Sequence, residues 1–382
     1  MKDLSESRVL IVDDVKANID VLVQALRADY KLSVAIDGAA ALRSVEAQPP
    51  DLVLLDIMMP GIDGYEVCRR LRASEATREV PVMFLSSLED VKDKTRGFEL
   101  GANDYVTKPF EVLEVKARVR SLLKAKAYAD AVKAAAERDL RIAREIQMGI
   151  LPADVPSRVR GTGLDVHALL EPAQQVGGDL YEVLRLADDR VMVAVGDVSG
   201  KGIPAALFMG VTMTLLRTMG RQSARPDEIL RRVNDELLEQ NPRGMFVTLQ
   251  CLVFDLPNRR VACASAGHHS AVLLTPGKPP RLVIQPSGRV IGMLPDNPVT
   301  AETLDLQAGE TFVLFTDGVS EAFDPDQQLL GEDRLLEHLA KEPGRTAEET
   351  TRSVLEAVRR HAAGAKQSDD ITVVSVRCAP GD

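Results

Sequence analysis

The 382-residue chain is too long for one ordinary hydrophobic core, and 45% hydrophobic with 27% charged residues describes two globular domains, not a fibrous or disordered protein. Its 57 acidic against 47 basic residues leave a net charge of −10 without a basic run, which argues against nucleic acid as the main partner. Four scattered cysteines, an acidic first segment where a signal peptide needs apolar residues, and no run near ~18 apolar residues lead us to expect a cytoplasmic protein with no membrane span.

Up to Lys124, short apolar runs alternate with amphipathic ones. RVLIVD, KLSVAI, DLVLLD, PVMFLS and DYVTK predict five strands, and ANIDVLVQALRAD and GYEVCRRLRAS predict helices between them. This alternation predicts an α/β domain with a doubly wound, five-stranded parallel sheet, whose site lies at the carboxyl ends of the strands. From Phe110 to Ile150 no glycine precedes Gly149 and no proline follows Pro109, which predicts one helix of about 60 Å. Val115, Val119, Leu122, Leu140, Ala143 and Ile150 fit an a/d stripe that Lys126, Lys133 and Gln147 interrupt. The stripe predicts a coiled coil that makes a homodimer; the alternative is a single helix packed on its own domains.

LPADVP breaks the helix. Beyond it, LDVHALLEP, VGGDLYEVLRL and VMVAVGD predict strands, and PAALFMGVTMTLLRTM and PDEILRRVNDELLEQ predict helices. FVTLQCLVFD and RRVACASAG predict a hairpin; ETFVLFTDG, a helical AEETTRSVLEAVRRHA and a last strand ITVVSVR follow. Strands grouped around paired helices predict an α+β sandwich. The expected domains are residues 1–124, a helical linker over 125–154, and 155–382.

Asp13, Asp14, Asp56, Ser86 and Lys108 stand at the ends of the first, third, fourth and fifth predicted strands, where a parallel sheet would bring them together. Three crowded carboxylates call for a hard cation, for which Mg²⁺ is suited. Asp56 could then attack a phosphoryl group, with a hydroxyl and an ammonium holding its oxygens. Helix capping would explain each acid alone but not the set. VDD, LVLLDIMMPGIDGYEV, FLSS and GANDYVTKPF resemble the response-regulator receiver family over about residues 5–124. The resemblance implies Asp13, Asp14, Asp56 and the Met58 carbonyl as Mg²⁺ ligands, and Asp56 as phosphoacceptor. It further implies Ser86 as switch hydroxyl, Tyr105 as switch aromatic, Lys108 as phosphate-binding cation, and a sensor histidine kinase as partner.

VMVAVGDVSGKG, from Val191 to Gly202, places an aspartate and Gly-Lys-Gly after a strand. A phosphate loop needs G-x-x-x-x-G-K-[ST]; Val195 stands at the first glycine and Gly202 follows Lys201, so that reading fails. Asp197 becomes the candidate instead. Asp179, Asp317 and the pair Asp369–Asp370 occupy comparable turns. Several carboxylates without a His or Cys cluster favour Mg²⁺ or Mn²⁺ over zinc, and two such ions can activate water and clamp a phosphate. Taken singly, these acids read as turns and caps. His268 and His269 read as a turn at a strand start, and Lys201 as either a loop lysine or a phosphate contact.

These residues look like the SpoIIE/RsbU-type branch of the PPM (type 2C) serine/threonine phosphatases, over about residues 138–378 and including ERDLRIAREIQMGILP. The resemblance implies an α-β-β-α sandwich holding two Mn²⁺ or Mg²⁺ ions. Asp197 would bridge both ions with help from the Val198 carbonyl, Asp317 and Asp369 would serve one, and Asp179 the other. Three departures stand out: Asp370 where many members have Asn, Glu182 for the second Asp of GGDxYD, and Ser199 where eukaryotic members often carry His. The expected protein is a two-component response regulator whose receiver controls a protein phosphatase acting on a phosphorylated STAS-type anti-sigma-factor antagonist. The alternatives are an adaptor with a silent phosphatase fold and a hydrolase of small phosphoesters.

Overall fold

Five runs rich in Val, Ile and Leu form the sheet of the first unit: β1 (Arg8–Val12), β2 (Lys31–Ala35), β3 (Leu52–Asp56), β4 (Val82–Ser86) and β5 (Asp104–Thr107). The computed structural model describes residues 3–86, 97–239, 241–342 and 344–379, in two units, Met1–Arg138 and Asp139–Asp382. The strands pair in parallel in the order β2-β1-β3-β4-β5. Side chains alternate across the pleat: Leu10 and Val12 enter the core beneath α2 (Gly38–Ala47) and α3 (Gly64–Ala73). Val9 and Ile11 enter the opposite core, beneath α1 (Lys16–Leu26) and the start of the long helix α4 (Val112–Ile150). Covered on both faces, β3 and β4 are buried at every residue. Asp37 and Asp63 cap α2 and α3 by accepting the Ala40 and Glu66 N–H groups.

Helix α4 is continuous over 39 residues, and its apolar positions divide differently from the expected stripe. Val115 and Val119 are fully buried in the first unit's own core, and Leu123 joins them where Leu122 was expected. Lys126 pairs with Asp130, Lys133 with Glu79 at 3.4 Å, and Gln147 is buried. The exposed large apolar residues of the middle and end are Tyr128, Val132, Ile142, Ile146 and Met148, and the first four with Ala135 and Asp139 keep a 4-3-4-3-4 spacing. Periodicity alone cannot say which face of a helix its own sheet will cover.

The second unit holds two antiparallel five-stranded sheets. One runs β13 (Glu302–Asp305), β10 (Arg260–Ala266), β9 (Val247–Asp255), β8 (Arg190–Val198), β7 (Leu180–Arg185). The other runs β12 (Arg281–Val283), β11 (Ala271–Leu274), β14 (Thr311–Phe315), β15 (Ile371–Cys378), β6 (Leu164–Glu171). Chain order also places a short α5 (Val155–Arg158), then α6 (Ile203–Gln222), α7 (Pro226–Glu239), a short α8 (Asp317–Ser320), α9 (Gly331–Lys341) and α10 (Ala347–Ala362). Helices α6 and α7 cover the first sheet, and α10 covers β15 and β6, with α9 against it. This is the expected α-β-β-α sandwich. Strand β11 begins just after the turn expected at His268–His269, whereas strands β12 and β13 and helices α2 and α9 have no counterpart in the sequence reading; strands of three or four residues are too short to display a period. Helix α6 is apolar and long enough by composition to cross a membrane, and here its Ala205, Met209, Met213 and Leu216 belong to the domain core.

Candidate functional sites

Parallel strands that end at one edge bring the first set of acids together. Carboxylate oxygens of Asp13, Asp14 and Asp56 lie within 4.8 Å of one another, with Asp13 and Asp56 buried and Asp14 exposed. The Lys108 ammonium, just past β5, stands 2.7 Å from Asp13 and 2.8 Å from Asp56. Asp13 also accepts from the Val15 N–H and the Asn18 amide, a residue the sequence did not single out. Burial raises the Asp56 pKa and the lysine opposes that shift. The Met58 N–H points at Asp56 at 3.4 Å. Ser86 ends β4, buried, and its carbonyl accepts the Lys108 N–H. Tyr105 is half-buried, its ring edge-on to Phe98 at 5.9 Å, and with Ser86, Phe84 and Phe98 it lines a small cavity.

The second set is assembled from both sheets of the sandwich. Asp197 is the penultimate residue of β8, Asp179 immediately precedes β7, Asp317 follows β14, and Asp369 and Asp370 lead into β15. Asp179 is 1% exposed; its Oδ2 accepts from Thr316 at 2.7 Å and Thr372 at 2.5 Å. Its Oδ1 is buried and has no hydrogen-bond partner among the described residues. Burial, then the charge of Asp197, pushes Asp179 well above the usual carboxylate range. Burial, then Asp317 and Asp369, pushes Asp197 up to about 7. Asp317 is raised by burial and by Asp369. Asp369 is half-exposed and pairs at 2.8 Å with Lys201, which also donates to the Ser368 carbonyl. The group is all-oxygen and under-compensated; no three of its carboxylates approach one another within 4.8 Å, as those of the receiver do, but the orphaned oxygen of Asp179 suits a hard divalent cation.

Three uncertain positions acquire definite partners. Asp370 accepts the Ala173 N–H through one oxygen and the Gly178 N–H through the other, so it shapes the turn before Asp179. That turn needs glycine: a Cβ on Gly177 would lie 1.6 Å from Asp370 Oδ2, and one on Gly178 would lie 2.6 Å from the Val198 carbonyl oxygen. Glu182 is fully buried between Arg158 and Arg217, and Arg217 also donates to the Ile150 carbonyl at the end of α4. Both its oxygens are thereby occupied. The Ser199 hydroxyl accepts the Phe246 N–H. Sequence reasoning missed Thr316 and Thr372, although each sits within a motif beside or near an acid, in FTDG and DDIT.

The comparisons with known proteins follow this division. The profile for response regulator receiver domains matches residues 9–120. The profile for Stage II sporulation protein E (SpoIIE) matches residues 187–379, half of the chain. The chain belongs to the SpoIIE family. It joins a receiver domain to a SpoIIE-type PPM phosphatase domain. Protein IcfG of Synechocystis is 26% identical over 403 residues, covering 96% of this chain and 58% of IcfG. Response regulator PleD of Caulobacter vibrioides is 38% identical over 178 residues, covering 46% of this chain and 38% of PleD. The chain therefore spans less than two thirds of these relatives' lengths. The SiaA-PP2C domain of Pseudomonas aeruginosa shares the fold, with a TM-score of 0.58 at 24% identity over 65% of this chain and 98% of that one.

His268 of the SpoIIE-type half is a buried structural group, as expected. Its Nε2–H donates to the Phe315 carbonyl at 3.0 Å, which leaves Nδ1 to accept the Thr248 hydroxyl at 2.9 Å. Burial lowers its pKa from 6.5 to about 3. Between those values the unfolded chain binds a proton that the folded one refuses, so this contribution is complete above pH 6.5 and is lost as pH falls toward 3. Urea midpoints of His268→Gln should decline less steeply from pH 6.5 to 4 than those of the parent. Parallel profiles would show that His268 does not titrate this way.

Proposed function

We propose that this chain is a phosphorylation-controlled, metal-dependent protein serine/threonine phosphatase. The observation that carries the reading is Asp179, buried with an unpartnered oxygen beside Asp197, whose pKa is pushed up to about 7. Asp179, Asp197, Asp317, Asp369 and the Val198 carbonyl would hold two Mn²⁺ or Mg²⁺ ions. When bound, such ions polarise a phosphoryl group and acidify a water for in-line attack. Thr316 and Thr372 hold Asp179 in place, and Lys201, half-exposed at the rim, is placed to exchange Asp369 for an incoming phosphate. Ser199 stands where eukaryotic members often carry His and has no acid of that kind to offer, so in this reading proton delivery to the leaving serine oxygen falls to water. The substrate in this reading is a phosphorylated STAS-type anti-sigma-factor antagonist. Presence of all four metal-type aspartates disfavours the silent-adaptor alternative.

In the receiver, Asp56 would accept a phosphoryl group from the phosphohistidine of a sensor kinase. A carboxylate oxygen forms the new P–O bond as the P–N bond breaks, with Mg²⁺ at Asp13, Asp14, Asp56 and the Met58 carbonyl. Lys108 already touches Asp56 and would follow the phosphoryl oxygens, while Ser86 and Tyr105 would report the change. The exposed Tyr128, Val132, Ile142 and Ile146 supply the seam of a homodimer through the linker, in place of the stripe that begins at Val115.

Three measurements test these parts. Mn²⁺-dependent release of phosphate from a phospho-STAS protein should drop to background in Asp197→Ala; retained turnover would remove the two-ion assignment. Acetyl phosphate with Mg²⁺ should add one phosphoryl mass to the parent and none to Asp56→Asn, and an equal adduct on the variant would place the acceptor elsewhere. Sedimentation should show a dimer that Ile146→Asp converts to monomer; if the parent is monomeric, or the variant stays dimeric, this seam is not the interface.

A further inference from the structure

Gln147 lies near the end of α4 among residues that sequence periodicity assigns to a helical stripe, yet it is 6% exposed. Its amide nitrogen donates to the Gly177 carbonyl at 2.7 Å, and its amide oxygen accepts the Gly177 N–H at 3.2 Å. One side chain thus satisfies both backbone polar groups of a residue that precedes β7 and has no sheet ladder to join. Gly177 begins the turn Gly177-Gly178-Asp179. The rest of that turn is held from within the site, by Asp370 on the Gly178 N–H and by the Val198 N–H on the Gly178 carbonyl at 3.4 Å. Gln147 is the attachment that comes from the long helix. The helix end is fixed a second time where Arg217, paired with buried Glu182, donates to the Ile150 carbonyl.

The geometry points to Gln147 as a positioning residue for the metal turn. It ties the rotation and axial position of α4 to the placement of Asp179, and so sets the affinity of the site for its divalent cations. This rests on the metal-dependent reading above. A glutamine is suited to the task because it alternates donor and acceptor at one end of a flexible neutral stem, as a peptide group requires. A charged residue there would satisfy one half of Gly177 and oppose the other. Movement of α4 by a fraction of a hydrogen-bond length would be delivered to Gly177, two residues from Asp179, with no further intermediary.

The test uses the full chain and Mn²⁺ alone as probe, with calorimetric titration as readout and thermal melting of the metal-free protein as the control for folding. Gln147→Met keeps the length and removes both hydrogen bonds; Gln147→Asn keeps the amide but withdraws it by one methylene. Both variants should stay folded, melting somewhat below the parent because Gly177 loses its partners, and bind Mn²⁺ at the second site roughly ten-fold more weakly, the size of effect typical of groups that orient metal ligands. Asp56→Asn in every background confines the titration to the second site. A parent that binds Mn²⁺ and a folded variant of either kind that binds it equally well would overturn the role of Gln147 while leaving the metal reading intact. A parent that binds no Mn²⁺, like an Asp197→Ala control, would overturn both.

Discussion

Asp179 is a carboxylate removed from water with only half of its hydrogen-bonding capacity met. Burial of a charged group without compensation is among the most expensive arrangements in a protein, so the surroundings of such a group are organised around it. Here Thr316 and Thr372 supply one oxygen, and paired glycines let the backbone pass between Asp370 and Val198. The second oxygen is buried without a partner among the described residues; burial and the Asp197 charge raise Asp179, and burial with Asp317 and Asp369 raises Asp197. A site that gathers carboxylates in this way is chemically suited to hard cations.

The two acid clusters solve the same electrostatic problem by different means. In the receiver, Lys108 sits within 2.8 Å of both buried aspartates, so the crowding is compensated from inside the chain. In the phosphatase half, Lys201 pairs with Asp369 at the exposed rim, and among the described residues the inner pair Asp179 and Asp197 has no cationic partner. The first cluster can therefore persist with one lysine as counter-ion and exchange that contact for a phosphoryl group. The second has no such counter-ion for its inner pair among the described residues. That difference is the electrostatic basis of the roles proposed above for the two halves.

Helix α4 serves several environments along its length. Its first turns contribute Val115, Val119 and Leu123 to the core of the first unit, its middle is solvated, and its end is fastened into the second unit by Gln147 and the Ile150 carbonyl. Glu182, with Arg158 and Arg217, belongs to this fastening, both its oxygens engaged by arginines. A carboxylate one methylene longer than the family's usual aspartate has become a buried counter-ion for two arginines.

The sequence by itself determined the parallel receiver sheet, the long helix, the sandwich and the identity of both acid clusters. Those features rest on local signals: runs of β-branched residues, a glycine-free and proline-free stretch, and aspartates placed at strand ends. Tertiary structure alone decided which face of α4 is covered, because an apolar stripe is the same stripe whether it meets its own sheet or a second chain. It also decided the roles of Gln147, Asp370 and Glu182. Each is a polar residue whose partner lies 24 to 192 residues away, with Gln147 gripping Gly177, Asp370 holding Gly178 and Glu182 joining Arg158 and Arg217. A hydrogen bond acts over about 3 Å and carries no trace in sequence spacing, so only folding the chain reveals which buried polar group meets which.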